Sequence, residues 1–314
     1  MNELLEIRNK IENTNEALSR LSRMLRDRPD SPGLLANMRV LERTSSELEQ
    51  EFSSAAKEMG LEVCKYRLFN DDKSERSIFN LGRALVNFQT MFSVVYDAIK
   101  YGQPKMTQHL HEGTWEDTQF DFAYSYPGSI GVTMTLSSEV DLFGSPFDKA
   151  IYTMFNMAKV QTSDAMKEYS REVGVAPVKA MYAWADGLAR ADFGVDIKWI
   201  GYRTPETRII IQKPDLISLR DTISSMSEEQ HIDFSAEGIL VAAHILRKAF
   251  GFQYYEGEEV RVINGRFIDA ISKAHAATVP APYKAHFRKT TRTTYSTDED
   301  KIEYLLLRLE ELEQ

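Results

Sequence analysis

A single cysteine, Cys64, stands in 314 residues. That excludes an internal disulfide framework and fits a reducing compartment. No run of 18 residues is free of charged side chains, so a membrane-spanning helix is not expected. The opening MNELLEIRNKIENTNEAL has no apolar signal core, and the cytoplasm is the expected location, with no membrane partner. None of G-x-x-x-x-G-K-[ST], G-x-G-x-x-G or G-x-S-x-G occurs, which removes the commonest nucleotide and hydrolase signals. Cation excess is missing too: 38 Lys/Arg against 47 Asp/Glu give a formal charge of −9. That balance argues against coating nucleic acid with the whole surface but leaves room for a local basic site.

What the chain does have is pattern, strongest in Ser77–Tyr101. Positions 78, 81, 85, 88, 92, 95 and 99 alternate steps of three and four, one face of an α-helix. Ala84, Met91 and Ala98 widen the stripe, and Asn80, Arg83, Asn87, Gln89 and Asp97 interrupt it. The spacing predicts the central helix of a water-soluble core.

Residues 1–60 read as a helical hairpin. Leu4, Ile11, Leu18 and Leu25 fall seven apart. After the breakers of 27–33, Leu34, Met38, Leu41, Ser45, Leu48, Phe52, Ala55 and Met59 alternate steps of four and three. A 3.5-residue period held over that length predicts an antiparallel coiled coil. Leu5, Leu35 and Val40 lie off the seam and are the expected partner-binding residues, so a homodimer or higher assembly through residues 1–60 follows as an expectation.

Residues 61–232 carry an α+β pattern. Strands are expected at 61–69, 120–126, 130–136, 195–200 and 208–212, with a Pro127-Gly128 turn. Helices are expected at 146–161, 163–173, 177–191 and 214–226. Residues 233–314 read as a small SH3-like or Sm-like barrel, built from short strands at 239–246, 249–255 and 260–263 and a long, Thr-rich strand at 283–295. A short helix is expected at 267–276. The chain is expected to end in an amphipathic helix over 299–313, capped at 296–299, although Ile302, Tyr304 and Leu306 also alternate as a strand would.

The candidates for chemistry are sparse. His109, His111 and Glu112, with Glu116 and Asp117 behind them, have the residue types of a metal site but no second group at ligand spacing, so a polar loop is the expectation. Asp196-Ile197-Lys198 resembles the acidic-x-lysine element of metal-dependent nucleases, with Asp186 and Asp192 upstream. Alternation places its charges on the solvent side of a strand. The ladder Phe120, Phe122, Tyr124 and Tyr126 has the rings of a base-stacking platform but interleaves Asp121, Ala123 and Ser125 rather than cations. Cys64 falls in an expected buried strand without a base.

No catalytic residue, metal site or cofactor is therefore expected. The sequence points first to a non-catalytic scaffold or oligomerisation subunit that presents its central domain to partner proteins. The alternative is a DNA- or RNA-binding subunit using Lys284, Arg288, Lys289 and Arg292, with His286, on the basic C-terminal strand. Over 233–297 nine Lys/Arg stand against six Asp/Glu. A second basic cluster, Arg20, Arg23, Arg26 and Arg28, borders the hairpin tip.

Overall fold

The computed structural model describes residues 2–70, 77–126, 130–137, 146–202, 205–257, 259–269, 271, 278–295 and 301–312. The chain mixes helix and strand and divides into two compact units, Met1–Ser225 and Met226–Gln314. The Pro127-Gly128 turn, the 296–299 cap and most of the short helix expected at 267–276 lie outside the described residues.

In the first unit α1 (Asn2–Asp27) and α2 (Pro32–Glu58) pack against each other as a hairpin. Five antiparallel strands follow in sheet order β2-β3-β1-β4-β5. They are β1 (Leu61–Phe69), β2 (Asp121–Tyr126), β3 (Ile130–Ser137), β4 (Gly194–Ile200) and β5 (Thr207–Ile211). The helices between and after them are α3 (Ile78–Tyr101), α4 (Thr114–Thr118), α5 (Pro146–Met157), α6 (Ser163–Val173), α7 (Val175–Arg190) and α8 (Lys213–Ser224). The central strand β1 alternates between two cores. On one face Tyr66 packs on Phe88 of α3 and accepts a 3.1 Å hydrogen bond from Trp184 Nε1 of α7. On the other, Val63 meets Ala56, Ile200, Leu4 and Leu61, and Ile7, Ile11 and Phe52 of the hairpin close over Ala123 and Tyr124 of β2.

The central helix enters the core later than its stripe predicts. From Met91 to Ala98 every residue is buried. Ile78, Phe79 and Val86 are exposed, and among the described residues none packs over these side chains. Gly102, at φ 62, ends the helix in the left-handed conformation favoured at such stops.

The second unit is a five-stranded barrel of β6 (Ser227–His244), β7 (Ala249–Glu256), β8 (Glu259–Phe267), β9 (Ala281–Thr294) and β10 (Lys301–Glu311). The order around the barrel is β10-β8-β7-β6-β9, and β8 and β10 run parallel. That is the Greek-key order of an OB-type barrel, not the SH3- or Sm-like arrangement expected from the tight turns. β6 also begins twelve residues before the strand expected at 239.

The expected C-terminal helix is instead strand β10. As a helix, Ile302, Leu305, Leu306 and Leu309 would have made a stripe. As a strand, β10 pairs with β9 from Lys301↔Arg292 to Glu311↔Tyr283, with a bulge between Leu306 and Arg308. Tyr304, Leu306 and Leu309 then all reach the core around Phe252 and Phe287. Closing the barrel satisfies a full backbone ladder that a free helix would leave unmade in β9.

Candidate interaction surfaces

The charged groups at and upstream of the acidic-x-lysine element are tied up in structural pairs. Asp196 holds Arg208 across the β4–β5 ladder through two hydrogen bonds of 2.8 and 2.7 Å, and Lys198 pairs with Glu206 at 2.8 Å. Asp186 pairs with Arg190 on the same helix, and Asp192 with Lys213. These carboxylates do not converge, and no cluster of three His, Cys, Asp or Glu fit for a metal occurs among the described residues. Cys64 is buried, and desolvation pushes its thiol far up. The aromatic ladder is mostly core: Phe120 stacks on Phe88 and Phe92, and Phe52 meets Tyr124 edge-on. Phe122 alone stays largely exposed.

Sequence reasoning missed the most organised polar cluster. Asp97, fully buried on α3, accepts hydrogen bonds from Lys105 Nζ, from Thr114 Oγ1 at 2.7 Å, and from the backbone N and ring Nδ1 of His111 at 3.0 and 2.9 Å. The backbone of Lys105 is itself pinned between α6 and α7: its N–H donates to Val173 O and its carbonyl accepts from Ala176 N, both 2.9 Å. Gly174, at φ +98, permits that approach, since a Cβ there would lie 2.1 Å from Lys105 N. Burial alone would raise the Asp97 carboxyl, but the donors outweigh it and hold the group down at about 2. His111 thus serves to fasten the loop between α3 and α4, while its ring packs 4.0 Å from that of Tyr101. The one available signal was an aspartate amid the apolar run Val94–Ile99.

Leu5, Leu35 and Val40 are all exposed, at 54%, 39% and 63%. They do not form one patch. Leu5 lies at the base of the hairpin, and Leu35 and Val40 flank the seam about 140° apart around α2. More telling is the distal half of the arm, where no residue from 19 to 44 is buried. The seven-residue apolar pattern continues there through Leu21, Leu25, Leu34, Met38 and Leu41 with each only half covered.

A second apolar surface lies on the first turns of α3. Phe79 and Val86 are seven residues apart, hence on one face, and Gly82 stands between them. A Cβ built on Gly82 meets nothing within 4 Å, so among the described residues no contact requires glycine there. Val86 also borders a groove of about 290 Å³ with Leu85, Trp115, Phe122, Val132 and Met134. Val86, Trp115 and Phe122 are 63%, 46% and 56% exposed. The groove runs beside β2, an edge strand of the sheet.

In the barrel unit, strand alternation splits the basic cluster of β9. Tyr283, Ala285 and Phe287 are buried inward, which places Lys284, His286, Arg288 and Arg292 on the outer face and Lys289 on the inner one. Arg288 is held by Asp233 through two hydrogen bonds of 2.8 and 2.9 Å. His286 bonds Ser235 at 2.8 Å and approaches Glu310 at 3.5 Å. Lys284 stands in register between Glu237 and Glu310. The full unit 226–314 carries 11 Lys/Arg against 15 Asp/Glu, a net −4.

No family model, curated protein or solved structure matches the chain. No helix is long and apolar enough to cross a membrane, among the described residues. Function is therefore argued from these surfaces alone.

Proposed function

We propose that the chain is a non-catalytic scaffold subunit, working in the cytoplasm, that presents the α3 groove to a helix of a partner protein. Its coiled-coil arm assembles it with further copies. The observation that carries this reading is the face Phe79–Gly82–Val86. Glycine inside a helix costs about 0.5–1 kcal/mol relative to alanine, and no contact among the described residues offsets that cost. A partner helix crossing at Gly82 would, since its backbone could approach closely while its apolar face covers Val86, Trp115 and Phe122. Large exposed apolar and aromatic side chains around a groove have the composition of interface anchors. The half-covered seam of residues 19–44 supports self-association in the same way. The alternative, nucleic-acid binding through Lys284, Arg288, Lys289 and Arg292 of β9, is weakened by the engagement of Arg288 with Asp233 and by the net acidic charge of the unit.

The test uses the tagged full chain purified from its own host as wild type, Val86→Asp and Val40→Glu, with light scattering on each. The expected result is a stoichiometric companion protein lost in Val86→Asp and a smaller assembly in Val40→Glu, both variants folded by circular dichroism. A wild-type chain that is monomeric and has no companion overturns the reading. Deleting residues 1–60 would be a poor substitute, because Ile7, Ile11 and Phe52 belong to the core that covers β2.

A further inference from the structure

The structure assigns the open end of the barrel as a binding site for an extended peptide of alternating apolar and basic residues, taken up as an added strand along β6. The reasoning begins with ladder register. β6 pairs with β9 from Ser227 to Leu240 but with β7 only from Gly238 to His244. On its β7 side, residues 227–237 pair with no strand among the described residues. The β8–β10 closure is equally brief, Leu305↔Arg266 and Leu306↔Phe267. The barrel is therefore tied at one end, while at the other the β7–β8 ribbon diverges from the sheet of β6, β9 and β10. Between them lies a cavity of about 1210 Å³.

An unpaired strand edge offers backbone donors and acceptors at the spacing of another strand. Over 231–237 that edge is roughly 23 Å long at about 3.3 Å per residue, room for a peptide of about seven residues. The side chains along it sort the ligand chemistry. Phe234 and Ala236 face inward, where the Phe234 ring lies 6.5 Å from Tyr254 and 6.4 Å from Tyr304. Lys289 stands on the same inner wall. Inward residues of an added strand thus meet aromatic rings and a cation, which favours apolar side chains and rejects basic ones. Asp233, Ser235 and Glu237 face outward with period two. Asp233 already spends both oxygens on Arg288, so the carboxylate that meets the outward residues of the added strand is Glu237, which favours Lys or Arg beside it. The net −4 of the unit draws in the same kind of ligand and repels a phosphate backbone.

The experiment measures fluorescence anisotropy of a labelled acetyl-Val-Lys-Val-Lys-Val-Lys-Val-amide titrated with the full chain. Two analogues are N-methylated, one at every valine and one at every lysine. In a paired strand, alternate residues aim their N–H at the neighbour. One analogue should therefore lose at least about tenfold in affinity and the other should bind like the parent. Glu237→Lys, an exposed substitution, should weaken the parent peptide and strengthen its Val/Glu counterpart. Equal binding of both methylated analogues overturns strand addition, and no binding of the parent overturns the site. Tighter binding of the Val/Glu peptide, or of an oligothymidine strand, to the wild-type chain overturns the ligand class.

Discussion

Replacing Gly82 by alanine separates what the chain needs for itself from what its surface is for. The residue sits on the second turn of α3, has no positive φ, and would place its Cβ in open space. The substitution therefore removes unfolded-state entropy and adds helix propensity without a clash. It should stabilise the first unit by about 0.5–1 kcal/mol, or about 2–4 °C in Tm per kcal/mol for a unit of this size. The assay is calorimetry or urea unfolding followed by circular dichroism. The contrasting substitution is Gly174→Ala, where a Cβ would meet Lys105 N at 2.1 Å in a backbone conformation of φ +98. That change should destabilise, since both the strain and the lost Lys105 clip act together. If Gly82→Ala destabilises the isolated chain, something within the chain does need glycine there, and the argument for a close-approaching partner loses its basis. If the stabilised variant keeps its full assembly with the companion protein, the helix crossing does not lie at Gly82.

Asp97 supplies a pH prediction: its carboxyl is held at about 2 against an ordinary 3.8, so the pairing contributes stability that is fully present above about pH 4. That contribution, about 2 kcal/mol, is lost as pH falls through 2, and urea midpoints measured between pH 5 and 2 should show the drop in wild type but not in Asp97→Asn. The same variant at pH 7 should lose about 3–5 kcal/mol, because it leaves Lys105 buried without its counter-charge; a loss under 1 kcal/mol would show that the cluster is not what fixes the loop. Leu306→Ala should cost the barrel about 2–5 kcal/mol and Arg308→Ala almost nothing, as burial in β10 requires; equal effects in hydrogen-exchange or unfolding measurements would refute the strand.

Much of the first unit was legible because its elements are long and locally patterned. The hairpin, β1, α6 and the β2–β3 pair all follow from apolar spacing within each element, where local sequence carries the period. The central helix was legible as a helix but not in its burial. Ile78, Phe79 and Val86 look like core on a helical wheel, and a wheel cannot show that no described element covers them. The same is true of the basic strand. Its cations were plain in the sequence, whereas Asp233 opposite Arg288 is set by register between strands 55 residues apart. The Asp97 cluster was hidden for a related reason, since its donors come from a loop without periodicity and from the first residue of the short helix α4.

The C-terminal segment shows why pattern alone did not choose its structure. Leu305, Leu306 and Leu309 fit a helix, and Ile302, Tyr304 and Leu306 fit a strand, so sequence periodicity was nearly balanced. What decides is the partner. β9 already offers one edge to β6, and its other edge lies beside buried Ala285 and Phe287. A helix laid there would cover those side chains but leave the β9 edge unpaired over many residues. A strand covers them and completes the ladder at once. The bulge between Leu306 and Arg308 then shifts the alternation by one residue, which is how both Leu306 and Leu309 reach the same core from a single strand. A strict two-residue period could not have placed them together, and a helical period was the only one under which the sequence by itself seemed to do so.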